Sequence, residues 1–430
     1  MKARHLMGLL FGFALGTAMA QGDLLEWTNR KGQTMSARFV KFEGGVVTFQ
    51  KPDGQIFTYP AADLDLNSQA RLAGLMKNPV ATAMPPAYRS RCSAEARAQA
   101  FADGGGVAEE EAALERALTW LATRQNADGS FGDEFHSAMT GLAMLAMLGR
   151  CEMPGGSALG ESVAKGGLYL METAKTNRGL MWNGETGLHL SYEHAIATHA
   201  LAELLGMTRG SNREVPGLET TVKRAAEHIV DGQTRTGGWF YGYDSSLEGG
   251  DMSLSLWQMG ALRAVRRSGI DSERVPRALD RAVSYLGRAQ DGEGAYKYRL
   301  TDDKGKATLT GGALYQLHRW GEGGSTDFEK GMVYLTQTYA NPRPGLSLYT
   351  PYFNTQIFHV KGGDPWRNYR TRFIPELLAK QNGDGSFMEP VGTGMITADN
   401  QLMNTAWAAL ILEVYYREPV EPENGGSGSR

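Results

Sequence analysis

A helical phrase that recurs six times, a strand-rich segment ahead of it, and a difference in polarity between alternate helices predict the fold class. It is mainly α: a six-hairpin α/α toroid preceded by a small SH3-like β-barrel domain. The phrase is clearest as Trp120-Leu121-Ala-Thr-Arg-Gln125-Asn126-Ala127-Asp128-Gly129-Ser130-Phe131, and it returns as Gln381-Asn-Gly-Asp-Gly-Ser-Phe387. Looser copies run from His228 to Phe240 and from Tyr285 to Tyr296. Two more, at Tyr169-Leu170 and Tyr334-Leu335, carry Ala174 and Tyr339 in the slot where the others carry Gln. The slot falls at 125, 174, 233, 290, 339 and 381. A spacing of roughly 50 residues marks a repeat architecture, in which each unit buries its apolar face against its neighbours.

The chain has 430 residues, enough for one large core or two smaller ones. Its 44 basic and 47 acidic residues nearly cancel, which argues against nucleic acid as a partner. Residues 1–20 read as a signal peptide: Lys2, Arg4 and His5, an apolar run from Leu6 to Leu15, then Ala18-Met19-Ala20 before Gln21. An uncleaved anchor is the alternative, but the run is short for a bilayer span. The expected product is periplasmic or secreted, with no stable membrane anchor after cleavage. In such a compartment Cys92 and Cys151 invite one disulfide. Two unpaired thiols are the other reading, since sequence gives no Cα separation.

Residues 23–72 differ in pattern from the rest of the chain. Met35 to Phe42, Val46 to Phe49 and Gln55 to Tyr59, with Trp27 before them, are strand-like runs. Turns at Lys31-Gly32, Gly44-Gly45 and Asp53-Gly54 part them. Ala37 with Phe39, and Val47 with Phe49, alternate as one buried face requires. Residues 73–108 hold Pro79, Pro85-Pro86 and Gly104 to Gly106, and read as a linker around one short helix, Ser93–Phe101.

Residues 109–417 are helical in pattern. A first helix such as Glu109–Arg124 keeps a charged face and places Ala113, Leu114, Ala117, Leu118 and Leu121 on the other. The second helices are more apolar: His136–Leu148, His194–Leu205, Met252–Val265, Leu309–Trp320, Phe353–Val360 and Gln401–Tyr416. Gly149, Gly206, Gly269 and Gly321 stand where C-caps would fall. Helices apolar on most sides belong inside, so the second set forms an inner ring and the first an outer one. The tail, 418–430, is acidic and then Gly/Ser-rich, and is expected to be disordered.

Helix, then Gln-x-x-Asp-Gly-Ser-Phe, then an apolar helix resembles the prenyltransferase and squalene-cyclase repeat over residues 109–417. Gly238-Trp239-Phe-Tyr241 and Asp251-x-Ser253-x-Ser255-x-Trp257-Gln258 resemble the variant seen in exported bacterial members. The N-terminal order Trp27, Gly32, Phe39, Gly45, Phe49, Asp53-Gly54, Tyr59-Pro60 and Leu64 resembles a Sla-type homology domain. That second resemblance implies peptide or polymer binding; a rigid spacer is the alternative. The repeat motif itself speaks for stacking of hairpins and not for chemistry.

Terpene cyclases of that fold use an Asp-x-Asp-Asp acid at an inner-helix start. The matching segment here is Glu248-Gly249-Gly250-Asp251, with Gly250 in the proton donor's place. The family's zinc chemistry needs a cysteine on an inner helix, and neither cysteine is there. No metal site is expected: His189, His194 and His199 recur five apart, which turns their rings away from one another. No cofactor is expected either.

The second helices carry hydroxyls near their starts, Thr140, Thr198, Ser255, Thr310, Thr355 and Thr405, with His136, His194, Asp251, Lys306, Pro351 and Gln401 one turn earlier. In a toroid these ring the cavity mouth. The catalytic candidates are therefore Asp251 as acid, with His136 or His194 as base. Tyr192, Tyr241, Tyr243, Trp257, Tyr349 and Tyr352 are candidate ligand-binding aromatics at the same level. The plainer reading makes Thr and Asp helix N-caps and the histidines satisfied core residues. The expected function is a non-catalytic binding or scaffold role with a peptide, glycan or isoprenoid ligand. The alternative is an enzyme using the cavity, as a degenerate terpene-cyclase relative or a carbohydrate-active toroid.

Overall fold

The structure is a computed structural model, and it describes residues 24–43, 45–75, 84–182, 189–209, 213–345, 347–387 and 400–417. The signal-peptide and disordered-tail expectations lie outside the described residues.

Four antiparallel strands form one sheet in sequence order: β1 (Leu24–Thr28), β2 (Thr34–Glu43), β3 (Val46–Gln50) and β4 (Ile56–Pro60). The predicted alternation holds in part: Ala37, Val47 and Phe49 are fully buried and pack with Trp27, whereas Phe39 is half-buried beside a register shift between β2 and β3. The Trp27 indole N–H donates to the Ala37 carbonyl at 2.9 Å, so burying it leaves no polar group unpaired. Helix α1 (Leu66–Leu75) follows, and Ser68 accepts the Thr28 N–H at 2.7 Å. It lies against both the sheet and the outer helices, which couples this small unit to the rest of the chain. The described part of the segment predicted as a linker, 84–108, is more helical than its Pro and Gly content implies. It holds α2 (Pro86–Cys92) as well as α3 (Ala94–Asp103), which Ser93 caps by accepting the Ala96 N–H at 3.1 Å.

The remaining helices alternate in character. The apolar set comprises α5 (His136–Gly149), α7 (Leu190–Thr208), α9 (Met252–Arg267), α11 (Ala307–Leu317), α13 (Tyr349–Lys361) and α15 (Asn400–Leu412). The amphipathic set comprises α4 (Ala108–Ala122), α6 (Ala158–Thr176), α8 (Leu218–Asp231), α10 (Arg274–Ala289), α12 (Thr326–Thr338) and α14 (Gly363–Leu378), and a short α16 (Val414–Arg417) ends the described chain. Each apolar helix packs on the next, and α15 packs back on α4 and α5, so the ring closes. Helix α5 is buried from Ser137 to Gly149, whereas α10 buries one stripe, including Val275, Leu279, Ala282 and Leu286. That contrast is the inner and outer division read from composition. Each buried Leu, Ile or Phe contributes roughly 1.5–3 kcal/mol.

The repeat phrase has a mechanical explanation. Gln125, Gln233, Gln290 and Gln381 each donate to a carbonyl in their own turn and to one on the following outer helix: Ser162, Ala278, Asp327 and Ala113. The turn glycines Gly129, Gly237, Gly294 and Gly385 all have positive φ. A Cβ there would come within 2.7 Å or less of a carbonyl oxygen on the same outer helix, so only glycine fits. The motif aromatics then tie back to the inner helix. The backbone N–H groups of Phe131, Trp239, Tyr296 and Phe387 donate to Thr140, Ser255, Thr310 and Thr405 at 2.9–3.1 Å.

Cys92 and Cys151 are disulfide-bonded, with Cα atoms 5.1 Å apart. Beside this bond a buried ion cluster joins distant parts of the chain. Glu203 on α7 holds Arg91 of α2 at 2.7 Å and Arg417 of α16 at 3.1 Å, all three side chains essentially inaccessible. Burial alone would raise the Glu203 carboxyl, but Arg417 and Arg91 hold it well below its usual range. Two predicted C-caps do different work: Gly149 lies inside α5 against Glu413, and Gly206 lies inside α7 against Tyr88.

Candidate functional site

Asp251 is fully buried at the N-cap of α9. Its Oδ1 accepts the Leu254 N–H at 3.1 Å, as the capping reading requires. Its carboxylate is enclosed by tyrosines, with the Tyr298 and Tyr241 phenols within hydrogen-bonding reach. Burial raises the phenols of Tyr192, Tyr241, Tyr298 and Tyr349, and the Asp251 charge raises each further. They therefore remain protonated at neutral pH, as donors facing one carboxylate.

These groups are linked to one another. Tyr192, at the start of α7, donates to Ser253 at 2.9 Å, and the Ser253 hydroxyl meets the Tyr349 hydroxyl of α13 at 2.9 Å. Tyr241 and Tyr298 meet at 3.5 Å. The chain of hydroxyls thus links the starts of three inner helices, α7, α9 and α13. Trp257 stacks on Tyr352 at 5.9 Å, and Tyr349 packs edge-on to Phe353 and Trp407.

The predicted aromatics separate into two groups. Tyr192, Tyr241 and Tyr349 converge on Asp251. Trp257 and Tyr352 are core residues, 3% and 4% exposed, and Tyr243 donates to Gln258 at 2.9 Å inside the fold. The histidines do not join the acid. Helix α7 begins at Leu190, a turn before the predicted start, so His194 lies within the helix. Its Nδ1 accepts the Met181 N–H at 3.0 Å and its Nε2 donates to the Ala225 carbonyl at 2.9 Å. Burial lowers its pKa to about 4. This neutral, doubly bonded ring matches the satisfied-core reading. His136 opens α5, half-buried, and no hydrogen bond or ion pair links it to Asp251. Five of the six hydroxyls predicted at the mouth are occupied elsewhere: four hold the motif aromatics, and Thr355 meets Tyr369 at 3.2 Å, while the buried Thr198 hydroxyl has no hydrogen-bond partner among the described residues.

Sequence reasoning missed Tyr298 and Ser253. Tyr298 stands two residues beyond the motif aromatic Tyr296, as Tyr241 stands two beyond Trp239. Aligning the copies on their aromatics identifies the pair. Among the described residues no group of His, Cys, Asp and Glu has the arrangement of a metal site.

One cleft, of about 380 Å³, lies at the start of α15 beside Trp120, Asp133 and Gln401. A larger cleft, of about 930 Å³, runs between the β unit and the outer helices α6 and α8. Its floor includes Leu66, Leu168 and Tyr169, and its rim includes Arg30, Asp65 and Asp128. Arg30 and Glu172 meet across it at 3.4 Å.

No protein-family model matches the chain, and no curated protein does. Among solved structures, an inactive variant of the alpha-1,6-mannanase GH76A of Salegentibacter sp. HEL1_6, in complex with alpha-1,6-mannotetrose, aligns with a TM-score of 0.52 at 10% identity. The alignment covers 72% of this chain and 99% of that one. A variant of the type II terpene cyclase MstE from Scytonema, in complex with geranylgeranyl dihydroxybenzoate, aligns with a TM-score of 0.49 at 13% identity, over 72% and 97% of the two chains. At such identities the mannanase likeness is one of fold. It agrees with the closed ring of paired helices.

Proposed function

We propose that the chain is an exported binding protein, a six-hairpin α/α toroid carrying an SH3-like β unit, and that it performs no chemistry at the ring mouth. The observation that carries this reading is the burial of the candidate acid. A catalytic acid must touch its substrate, and Asp251 is fully buried among its tyrosine neighbours. Glycoside hydrolysis generally needs two carboxyl groups across the bond to be cleaved. The carboxylate that acts on Tyr192, Tyr241, Tyr298 and Tyr349 alike is Asp251. The cleft beside the β unit, with its apolar floor and charged rim, is the surface on which a peptide or polymer segment binds. The disulfide and the absence of a long apolar helix among the described residues are consistent with export.

The second reading, an enzyme, is favoured by one feature: a fully buried carboxylate held among phenols. Asp251→Asn separates the two readings. Asn preserves the helix cap, so folding survives in either case. A thermal-shift screen of parent and variant against peptides, glycans and isoprenoids should give the same ligand response for both. Loss of the response, or of turnover of any ligand, in the variant alone would establish the enzyme reading instead.

A further inference from the structure

The repeat has a rule, and the chain breaks it where the cleft opens. The outer-helix acceptors Ala113, Ser162, Ala278 and Asp327 precede the slots 125, 174, 290 and 339 by twelve residues each. The same register places Thr221 twelve before slot 233 and Tyr369 twelve before slot 381. A basic residue stands three positions beyond each acceptor: Arg116, Lys165, Arg224, Arg281, Lys330 and Arg372. Its purpose is visible in two seams. Arg281 donates to the Gln233 Oε1 at 2.8 Å, and Arg116 donates to the Gln381 Oε1. A complete seam therefore consists of a carboxamide whose N–H reaches a helix carbonyl and whose oxygen takes a basic side chain.

Two seams lack the glutamine, and they are treated differently. At slot 339 a tyrosine fills the space, its phenol against the Asn354 side chain, and Arg372 donates to Asn341 at 3.2 Å. At slot 174 only Ala174 is present. His228 has taken over one bond, to the Arg178 carbonyl at 3.1 Å, which is the in-turn position that the glutamines satisfy elsewhere. The rest of the arrangement is open: Arg224 has no hydrogen-bond or ion-pair partner among the described residues. Ala174, Thr221 and Arg224 all line the 930 Å³ cleft.

We propose that this seam receives the missing carboxamide from outside, from an Asn or Gln side chain on an extended peptide segment of a partner protein lying in the cleft. The amide N–H would bond the Thr221 carbonyl, and its oxygen would accept from Arg224, as Gln233 does with Ala278 and Arg281. The rest of the peptide would run over Leu66, Leu168 and Tyr169 beside Asp65 and Asp128. A peptide suits the cleft better than a glycan because its backbone supplies further amides and its side chains can complement the carboxylates of the rim. The inference rests on the cleft being the binding surface, as proposed above.

The test uses the full chain on an array of short random-sequence peptides, with an N-acetylated oligosaccharide as a separate arm. Peptides rich in Asn and Gln should be selected. Ala174→Gln, which completes the seam from within, should weaken their binding at least ~10-fold while leaving the far-ultraviolet circular dichroism unchanged and the Tm equal or higher. Arg224→Ala, at an exposed position, should weaken the same peptides without changing the Tm. Peptides that bind equally to parent and to both variants would overturn the carboxamide inference and leave the cleft reading standing. An array without binders would overturn both, and binding of the oligosaccharide alone would replace the peptide with an N-acetyl sugar.

Discussion

His194 shows how position within a helix decides between a catalytic and a structural histidine. At the tip of α7 it would face the mouth; one turn inside, both ring nitrogens meet backbone groups. The consequence is a pH dependence. Burial holds its pKa near 4 in the fold, against 6.5 for the free side chain. Between those values the unfolded chain binds a proton that the folded chain does not, so stability is lost as pH falls from 6.5 toward 4. The full effect of one such residue is on the order of 3 kcal/mol. Glu413, raised by burial, acts in the opposite sense above 4.5, so a comparison of variants is cleaner than the parent's profile alone. His194→Gln should be less stable than the parent at neutral pH but lose less on acidification, as read by urea unfolding on either side of the window. An equal acid loss would contradict the assignment. Asp251 was legible because Asp before an apolar helix is a cap signal. Its tyrosine surroundings were only half legible: Tyr298 stands out only once the repeat copies are aligned on their aromatics, and nothing local marks Ser253 as the link between Tyr192 and Tyr349.

The glutamine seam is the element-scale device of this fold. It was visible as a repeat, but its partner carbonyls lie on another helix and could not be named from spacing. Gln233 is fully engaged, and unlike the other copies it is buried: it bonds the Gly237 and Ala278 carbonyls and accepts from Arg281. Gln233→Ala should cost about 2–4 kcal/mol, because two buried carbonyls and a guanidinium lose a partner together. Equilibrium unfolding measures this, and a loss below about 0.5 kcal/mol would show that the seam does not hold the hairpins together. The inner-helix hydroxyls carried a misleading signal. Thr and Ser near a helix start suggest caps or a pocket rim. The structure uses four of them to hold the motif aromatics from the preceding turn, a contact between segments that the helical pattern does not reveal.

The alternation of apolar and amphipathic helices made the ring readable from sequence, because each class of helix can satisfy its surface in only one layer. The Tyr192–Ser253–Tyr349 hydroxyl chain was not readable, because it depends on side chains from three helices meeting. The position of the β unit was not readable either, since nothing in its strands names the helices it rests on. The chain is also stapled. Cys92→Ser should cost roughly 2–4 kcal/mol by freeing α2 from the end of α5 and loosening Arg91 above Glu203. A Tm unchanged in the variant would contradict that role.

The central claim is that ligands meet this chain in the cleft and not at the mouth. Hydrogen exchange of the full chain, with and without peptides selected from the array, tests it most directly. The account predicts new protection at 63–69, 168–175 and 216–224, with 239–257 and 349–357 unchanged. Protection confined to 239–257 and 349–357 would place the ligand over Asp251 and contradict the account.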